Sequence, residues 1–242
     1  MYGTIEETLK MLTELRHKLP ESCAAEVVVA PPFTSIYTAY VALQDTPIKL
    51  AGQNMHWESE GAFTGEISSS FLKEAGCAYV LIGHSERRQY FGETDETVNK
   101  KIQAALAAEL VPILCIGETQ AQRKAGKTEE VLEQQLKKGL QGVPMSDVKP
   151  LVVAYEPVWA IGTGNTAALQ DIEQALHFIH NWLAKAYDAP TAGGIRLLYG
   201  GSVSPETSGE MLKVKNVRGL LVGSASLSTD KFLKIISSQG GS

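Results

Sequence analysis

The sequence predicts an α/β fold, a (β/α)8 barrel whose first strand is missing, on three observations. Short β-branched apolar runs recur along the chain, each followed by a polar turn and a longer stretch with helical spacing. The runs lack the in/out alternation of a half-exposed strand, as expected of a parallel sheet buried on both faces. Seven such strands stand against eight helical segments, and the chain has no G-x-G-x-x-G turn of the kind an open nucleotide-binding sheet carries.

The chain opens on a helix, 4–19, where Thr4 and Glu7 form the T-x-x-E pattern of a capping box and Ile5, Leu9, Leu12 and Leu15 share one face. Strand Glu26–Ala30 follows, then helix 34–45 and strand Ile48–Ala51. Helix 68–76 precedes strand Ala78–Ile82, and helix 94–109 precedes strand Val111–Ile116. A long helical stretch, 119–141, is divided at Gly126, since glycine interrupts a helix. Strand Leu151–Tyr155 leads to helix 167–187, strand Arg196–Tyr199 to helix 205–213, and strand Gly219–Val222 to helix 230–237. No Pro-, Gly- or Ser-rich linker divides the chain, and barrels of this kind run to about 250 residues as one unit, so residues 1–242 read as one domain.

Composition excludes several classes of function. The net charge is −5 and no run of Lys or Arg exceeds a pair, which lacks the basic footprint of a nucleic-acid binder. Apolar stretches such as Val27–Ala30 and Tyr79–Ile82 are far too short to span a bilayer, and Met1 precedes a polar helix rather than an apolar signal core. Neither nucleic acid nor membrane is an expected partner, and the expected location is cytoplasmic. Three widely spaced cysteines, Cys23, Cys77 and Cys115, suggest neither a disulfide framework nor a CxxC metal site.

Barrel chemistry sits on the loops after the C-terminal ends of the strands. After the third strand comes Gly83-His84-Ser85-Glu86-Arg87-Arg88, a histidine at the start of a helical turn. A helix N-terminus disfavours imidazolium, so His84 would be neutral and able to donate to a carbonyl; the alternative is a hydrogen-bonded packing residue. After the fifth strand comes Glu156, followed by Pro157-Val158-Trp159-Ala160-Ile161-Gly162-Thr163-Gly164. Trp159 and Ile161 are expected to desolvate this carboxylate and make it a better general base; the alternative is a surface ion pair. The apolar run between Pro157 and the glycines suits a lid. After the sixth and seventh strands come Tyr199-Gly200-Gly201-Ser202-Val203 and Leu221-Val222-Gly223-Ser224-Ala225-Ser226, two small-residue loops whose backbone N–H groups suit an anion, phosphate above all. His177 and His180, one helical turn apart, lack a nearby carboxylate to complete a metal site, and Cys115 reads as a buried core residue.

Together, Gly52-Gln53-Asn54, Gly83 to Arg88, Cys115-Ile116-Gly117-Glu118, Ala154 to Gly164 and Tyr199 to Val203 resemble the triosephosphate isomerase family in order and spacing over essentially the whole chain. That resemblance implies a TIM barrel interconverting dihydroxyacetone phosphate and D-glyceraldehyde 3-phosphate through an enediol(ate), a step of glycolysis and gluconeogenesis. It implies Glu156 as the base, His84 as the group that polarises the carbonyl, and Gly162, Ser202, Gly223 and Ser224 as holders of the substrate phosphate. Such a reaction requires no metal and no organic cofactor. The loop Gly61-Ala62-Phe63-Thr64-Gly65-Glu66 is similar to the family's dimer loop, so a homodimer through the region of Thr64 is expected; the alternative is a self-packed flap.

The sequence departs from the family at two places. The family's first strand ends in Asn-x-Lys-Met, whereas this chain starts Met1-Tyr2-Gly3-Thr4, so an internal methionine taken as the start is expected, with the strand and its lysine upstream. The family's usual Gly-Gly is here Gly223-Ser224. A noncatalytic relative that binds phosphosugars or a partner protein is the alternative; His84 and Glu156 argue against it, and the missing strand argues for it.

Overall fold

The computed structural model describes residues 1–20, 23–161 and 166–240. Helix α1 (Ile5–Lys18) starts at the expected capping box, with the Thr4 hydroxyl accepting from the Glu7 N–H and the Glu7 carboxylate accepting from the Thr4 N–H. Then follow β1 (Val28–Val29), α2 (Phe33–Ala42), β2 (Lys49–Gly52), α3 (Ser69–Glu74), β3 (Tyr79–Ile82), α4 (Ser85–Tyr90), α5 (Asp95–Ala107) and β4 (Val111–Ile116). The stretch divided at Gly126 gives α6 (Gln120–Lys124) and α7 (Thr128–Gly139), since Gly126 has φ +69°. The chain continues through α8 (Met145–Val148), β5 (Val152–Tyr155), α9 (Leu169–Ala186), α10 (Ala189–Gly194), β6 (Arg196–Tyr199), α11 (Ser208–Lys213), β7 (Gly219–Leu220) and α12 (Thr229–Ser237).

The seven strands form one parallel sheet in chain order, each paired with the next, with registers such as Val80 opposite Pro112 and Ala154 opposite Leu198. Residues alternate between two apolar environments. Leu50, Val80, Leu114, Val153 and Leu197 face the helices, while Ala51, Tyr79, Ile113, Cys115, Val152 and Ala154 form a separate inner cluster. Val28 of β1 and Leu198 of β6 pack on that same inner cluster, so the sheet curls around it as a TIM-barrel-like fold. Both faces are apolar, which is why the strands read as continuous rather than alternating runs. At the N-terminal end of the strands, Glu26, Tyr79 and Arg196 reach across the interior: Tyr79 donates to Glu26 Oε1 at 2.7 Å, and the Arg196 guanidinium donates to both Glu26 and the Tyr79 hydroxyl.

Strands β1 and β7 are shorter than expected, and each is paired on one side only among the described residues. Outside them, α1 packs on both α2 and α12, with Lys18 Nζ 3.0 Å from Asp230 Oδ1. Among the described residues no helix is long and apolar enough to cross a membrane.

Candidate active site

His84 leaves the end of β3 and occupies the N-cap position of α4. Its Nδ1 accepts the Glu86 backbone N–H at 3.3 Å, which satisfies one of the free donors at the helix start. Only an unprotonated nitrogen can accept, so this bond selects the neutral tautomer with hydrogen on Nε2. Nε2 lies 3.1 Å from Glu156 Oε1. Burial pulls the imidazolium down, but the hydrogen bond and charge of Glu156, with Glu86 and Glu93 behind it, outweigh burial and raise His84 above its ordinary range in this arrangement.

Glu156 follows β5 directly and is 3% exposed, so it is not a surface ion pair. Its Oε2 accepts the Ser85 backbone N–H at 3.0 Å while Oε1 faces His84, so the carboxylate is held by two donors from the start of α4. The main chain here packs tightly: the Glu156 N–H bonds to Ile116 O at 2.7 Å, and a Cβ on Gly117 would sit 1.9 Å from Glu156 O, so only glycine fits. Cys115 is fully buried beside Glu156, and burial, then the charge of Glu156, push its thiol well above the ordinary range and keep it protonated.

Trp159 also makes a polar contact that the sequence does not suggest. Its indole Nε1 donates to Glu118 Oε1 at 2.8 Å, and the Arg123 guanidinium lies 4.1 Å from its ring centroid. Glu118 is wholly buried, accepts also from the Tyr155 hydroxyl, and its carbonyl takes the Val158 N–H at 3.1 Å. An indole is drawn to this buried carboxylate because the carboxylate needs donors, and Arg123 supplies a counter-charge 3.9 Å away.

Of the expected phosphate holders, Gly162 lies outside the described residues, as does Thr163 of the expected lid. Ser202 sits on the loop after β6, and Gly223 caps a 3-10 turn, Ser224–Leu227, after β7. The topology therefore puts Ser202, Gly223 and Ser224 at the C-terminal ends of two neighbouring strands, the end that also carries His84 and Glu156. Space beside Gly223 is open. His177 pairs with Asn181 within α9.

Three participants were not legible beforehand as members of the site: the Ser85 N–H, the buried hub at Glu118, and a network in which Lys101 Nζ donates to Asn54 Oδ1 at 2.7 Å and Glu93 Oε1 at 2.9 Å. The sequence signal was that Asn54, Ser85 and Glu118 stand in loops after strand ends, within the motifs that carry the resemblance, but nothing there gave their roles.

Comparison with known proteins agrees with this geometry. A family model described as triosephosphate isomerase matches residues 1–239. The chain is 48% identical over 238 residues to a triosephosphate isomerase of Dictyoglomus turgidum, covering 98% of this chain and 96% of that one. It is 49% identical over 236 residues to one of Alkaliphilus metalliredigens, covering 98% and 95%. The crystal structure of triosephosphate isomerase from Bartonella henselae superposes with a TM-score of 0.89 at 38% identity, covering 99% of this chain and 95% of that one. The chain belongs to the triosephosphate isomerase family of enzymes.

Proposed function

We propose that this chain interconverts dihydroxyacetone phosphate and D-glyceraldehyde 3-phosphate through an enediol(ate), in glycolysis and gluconeogenesis. The observation that carries the reading is the buried Glu156 carboxylate 3.1 Å from a His84 ring whose tautomer is set by a helix N–H. In the arrangement seen, Glu156 rests on Ser85 and His84. To act it leaves both and reaches the carbon between the substrate's carbonyl and hydroxyl groups, while the carbonyl oxygen takes its place as acceptor of the His84 Nε2–H. Glu156 takes the carbon-bound proton, His84 lends its proton to one oxygen and regains one from the other, and Glu156 returns its proton to the neighbouring carbon. With Glu156 withdrawn, the influence that raises His84 goes, and burial and the Glu86 N–H both favour the neutral ring.

Ser202, Gly223 and Ser224, with Gly162, are proposed to hold the phosphate, supported by two adjacent βα loops and the 3-10 turn that begins at Ser224. Apolar, half-buried Val158, Trp159 and Ile161 suit a cover that excludes water from the enediolate. The active form is proposed to be a cytoplasmic homodimer of single-domain subunits. Phe33, Phe63, Tyr90 and Phe91 are all at least 39% exposed and lie in segments after β1, β2 and β3, three neighbouring strands, which supports this reading. His56 stacks on Trp57 and lies tilted against Phe63 inside the loop that carries Thr64, which supports a loop held in shape to meet a second copy.

The test is isomerisation assayed in both directions, together with exchange of the substrate's carbon-bound hydrogen in heavy water. Turnover and exchange in the native chain, lost together in Glu156→Gln, are expected. A chain that binds triose phosphate without exchanging that hydrogen is a binding protein, and the proposal fails.

A further inference from the structure

Arg88 has no part in the reaction as derived above, yet its side chain is only 17% exposed and is fully engaged. From α4 it folds back beneath the turn that ends β3. Nε donates to the Gly83 carbonyl at 2.8 Å, one terminal nitrogen donates to the Cys115 carbonyl at 3.4 Å, and the other meets Asp95 Oδ1 at 2.7 Å. The planar fork therefore joins the ends of two neighbouring strands. One of them delivers His84, and the other carries Cys115 beside Glu156. Asp95 anchors the fork from the first turn of α5, and its second oxygen accepts from Gln134 of α7 at 3.4 Å.

The two peptide units that flank the Gly83 Cα are each held by a side chain. The Gly83 N–H points to Glu93 Oε1 at 3.4 Å while the Gly83 carbonyl takes Arg88 Nε. Gly83 has φ +76°, and a Cβ there would lie 2.9 Å from the guanidinium and 3.1 Å from Cys115 O. Glycine is thus needed both for the backbone conformation and for the approach of the fork. Where the His84 ring sits depends on this turn of backbone, because among the described residues the ring's side-chain partners are Glu156 and Glu86.

We propose that Arg88 is a positioning residue for the isomerisation: through the Gly83 and Cys115 carbonyls it holds the His84 ring in register with Glu156. The proposal rests on the reading of His84 and Glu156 given above. Arginine is required because three acceptors, two carbonyls and a carboxylate, surround one plane. A lysine ammonium is a point charge on a flexible stem and cannot reach all three in that geometry.

The experiment compares Arg88→Lys and His84→Gln in the full chain, with kcat and KM normalised to folded protein by circular dichroism and the His84 ring nitrogens followed by NMR. Arg88→Lys is expected to lower kcat about 10- to 100-fold, as for a displacement of order 1 Å, while KM changes by less than about threefold, and to shift the ring nitrogen signals. If Arg88→Lys melts earlier but keeps wild-type kcat per folded molecule and unshifted ring signals, Arg88 only supports the fold and the proposal is overturned, with His84→Gln still impaired. Wild-type turnover in His84→Gln overturns the reading of the site and this proposal with it. Should Arg88→Lys not fold, Asp95→Asn, which keeps the guanidinium and removes its charge partner, takes its place. A lowered kcat with shifted ring signals supports the proposal there, and unchanged values overturn it.

Discussion

Replacing Glu156 by Gln separates the chemistry proposed for this carboxylate from its resting place. The carboxylate meets two donors, the Ser85 N–H at 3.0 Å and His84 Nε2 at 3.1 Å. Glutamine has one acceptor oxygen, so its NH2 must face one of those donors in a site 3% exposed. An unmet buried donor costs about 1–3 kcal/mol, and a chain of this size loses about 2–4 °C of melting temperature per kcal/mol. Loss of the general base lowers turnover by roughly 10²- to 10⁴-fold. The histidine responds as well. Burial lowers His84 and Glu156 more than offsets it, so its folded pKa lies above the unfolded value, and the stability it contributes is complete below the unfolded pKa and lost as pH rises through the folded one. In Glu156→Gln that pH-dependent contribution disappears and the His84 titration moves down. The assays are hydrogen exchange of substrate in heavy water, thermal melts from acid to alkaline pH, and NMR titration of His84. A variant that loses exchange but keeps both the melting temperature and the His84 titration of the native chain would refute the resting arrangement while leaving the base in place. Exchange at the native rate would refute the base.

Ser224→Gly is expected to preserve or improve affinity for phosphate or sulfate, measured by calorimetry, because an anion nest uses N–H groups and space; a marked loss would make the hydroxyl a required ligand. Phe63→Asp, at a side chain 43% exposed, is expected to yield monomers in analytical ultracentrifugation with the secondary structure retained, and a dimer of unchanged affinity would remove this loop from the interface. Glu26 is pushed up by burial but held below the ordinary range by hydrogen bonds from Tyr79 and Arg196 and by the charges of Arg196 and Lys49. Its contribution to stability is therefore present above the unfolded carboxylate pKa and lost as pH falls through the folded one, so Glu26→Gln should flatten the acid limb of the melting profile; an unchanged limb would show the cluster across the barrel interior to be energetically silent.

Most of the architecture follows from one-dimensional pattern. Strands β2 to β6 stand within a residue or so of their expected bounds because a strand sandwiched between an inner cluster and a helical layer must be apolar throughout, and that needs no knowledge of neighbours. The capping box of α1 and the break at Gly126 are equally local, set by side chains three residues apart and by one positive φ. Strands β1 and β7 came out shorter, since pairing on one side cannot be read from their own residues. Short helices such as α8 and α10 were not separated from their surroundings, because four to six residues carry too little periodicity. At the site, Glu156 and His84 were legible as chemistry-bearing residues at strand ends, but their contact spans 72 positions and the bond from Ser85 spans 71. The indole N–H of Trp159 shows the same limit: its partner is Glu118, 41 residues away, because a fully buried carboxylate draws whatever donors the fold brings near. Residue type and position along a strand decide what a side chain can do; which partner satisfies it is decided only when the sheet curls and distant strand ends become neighbours.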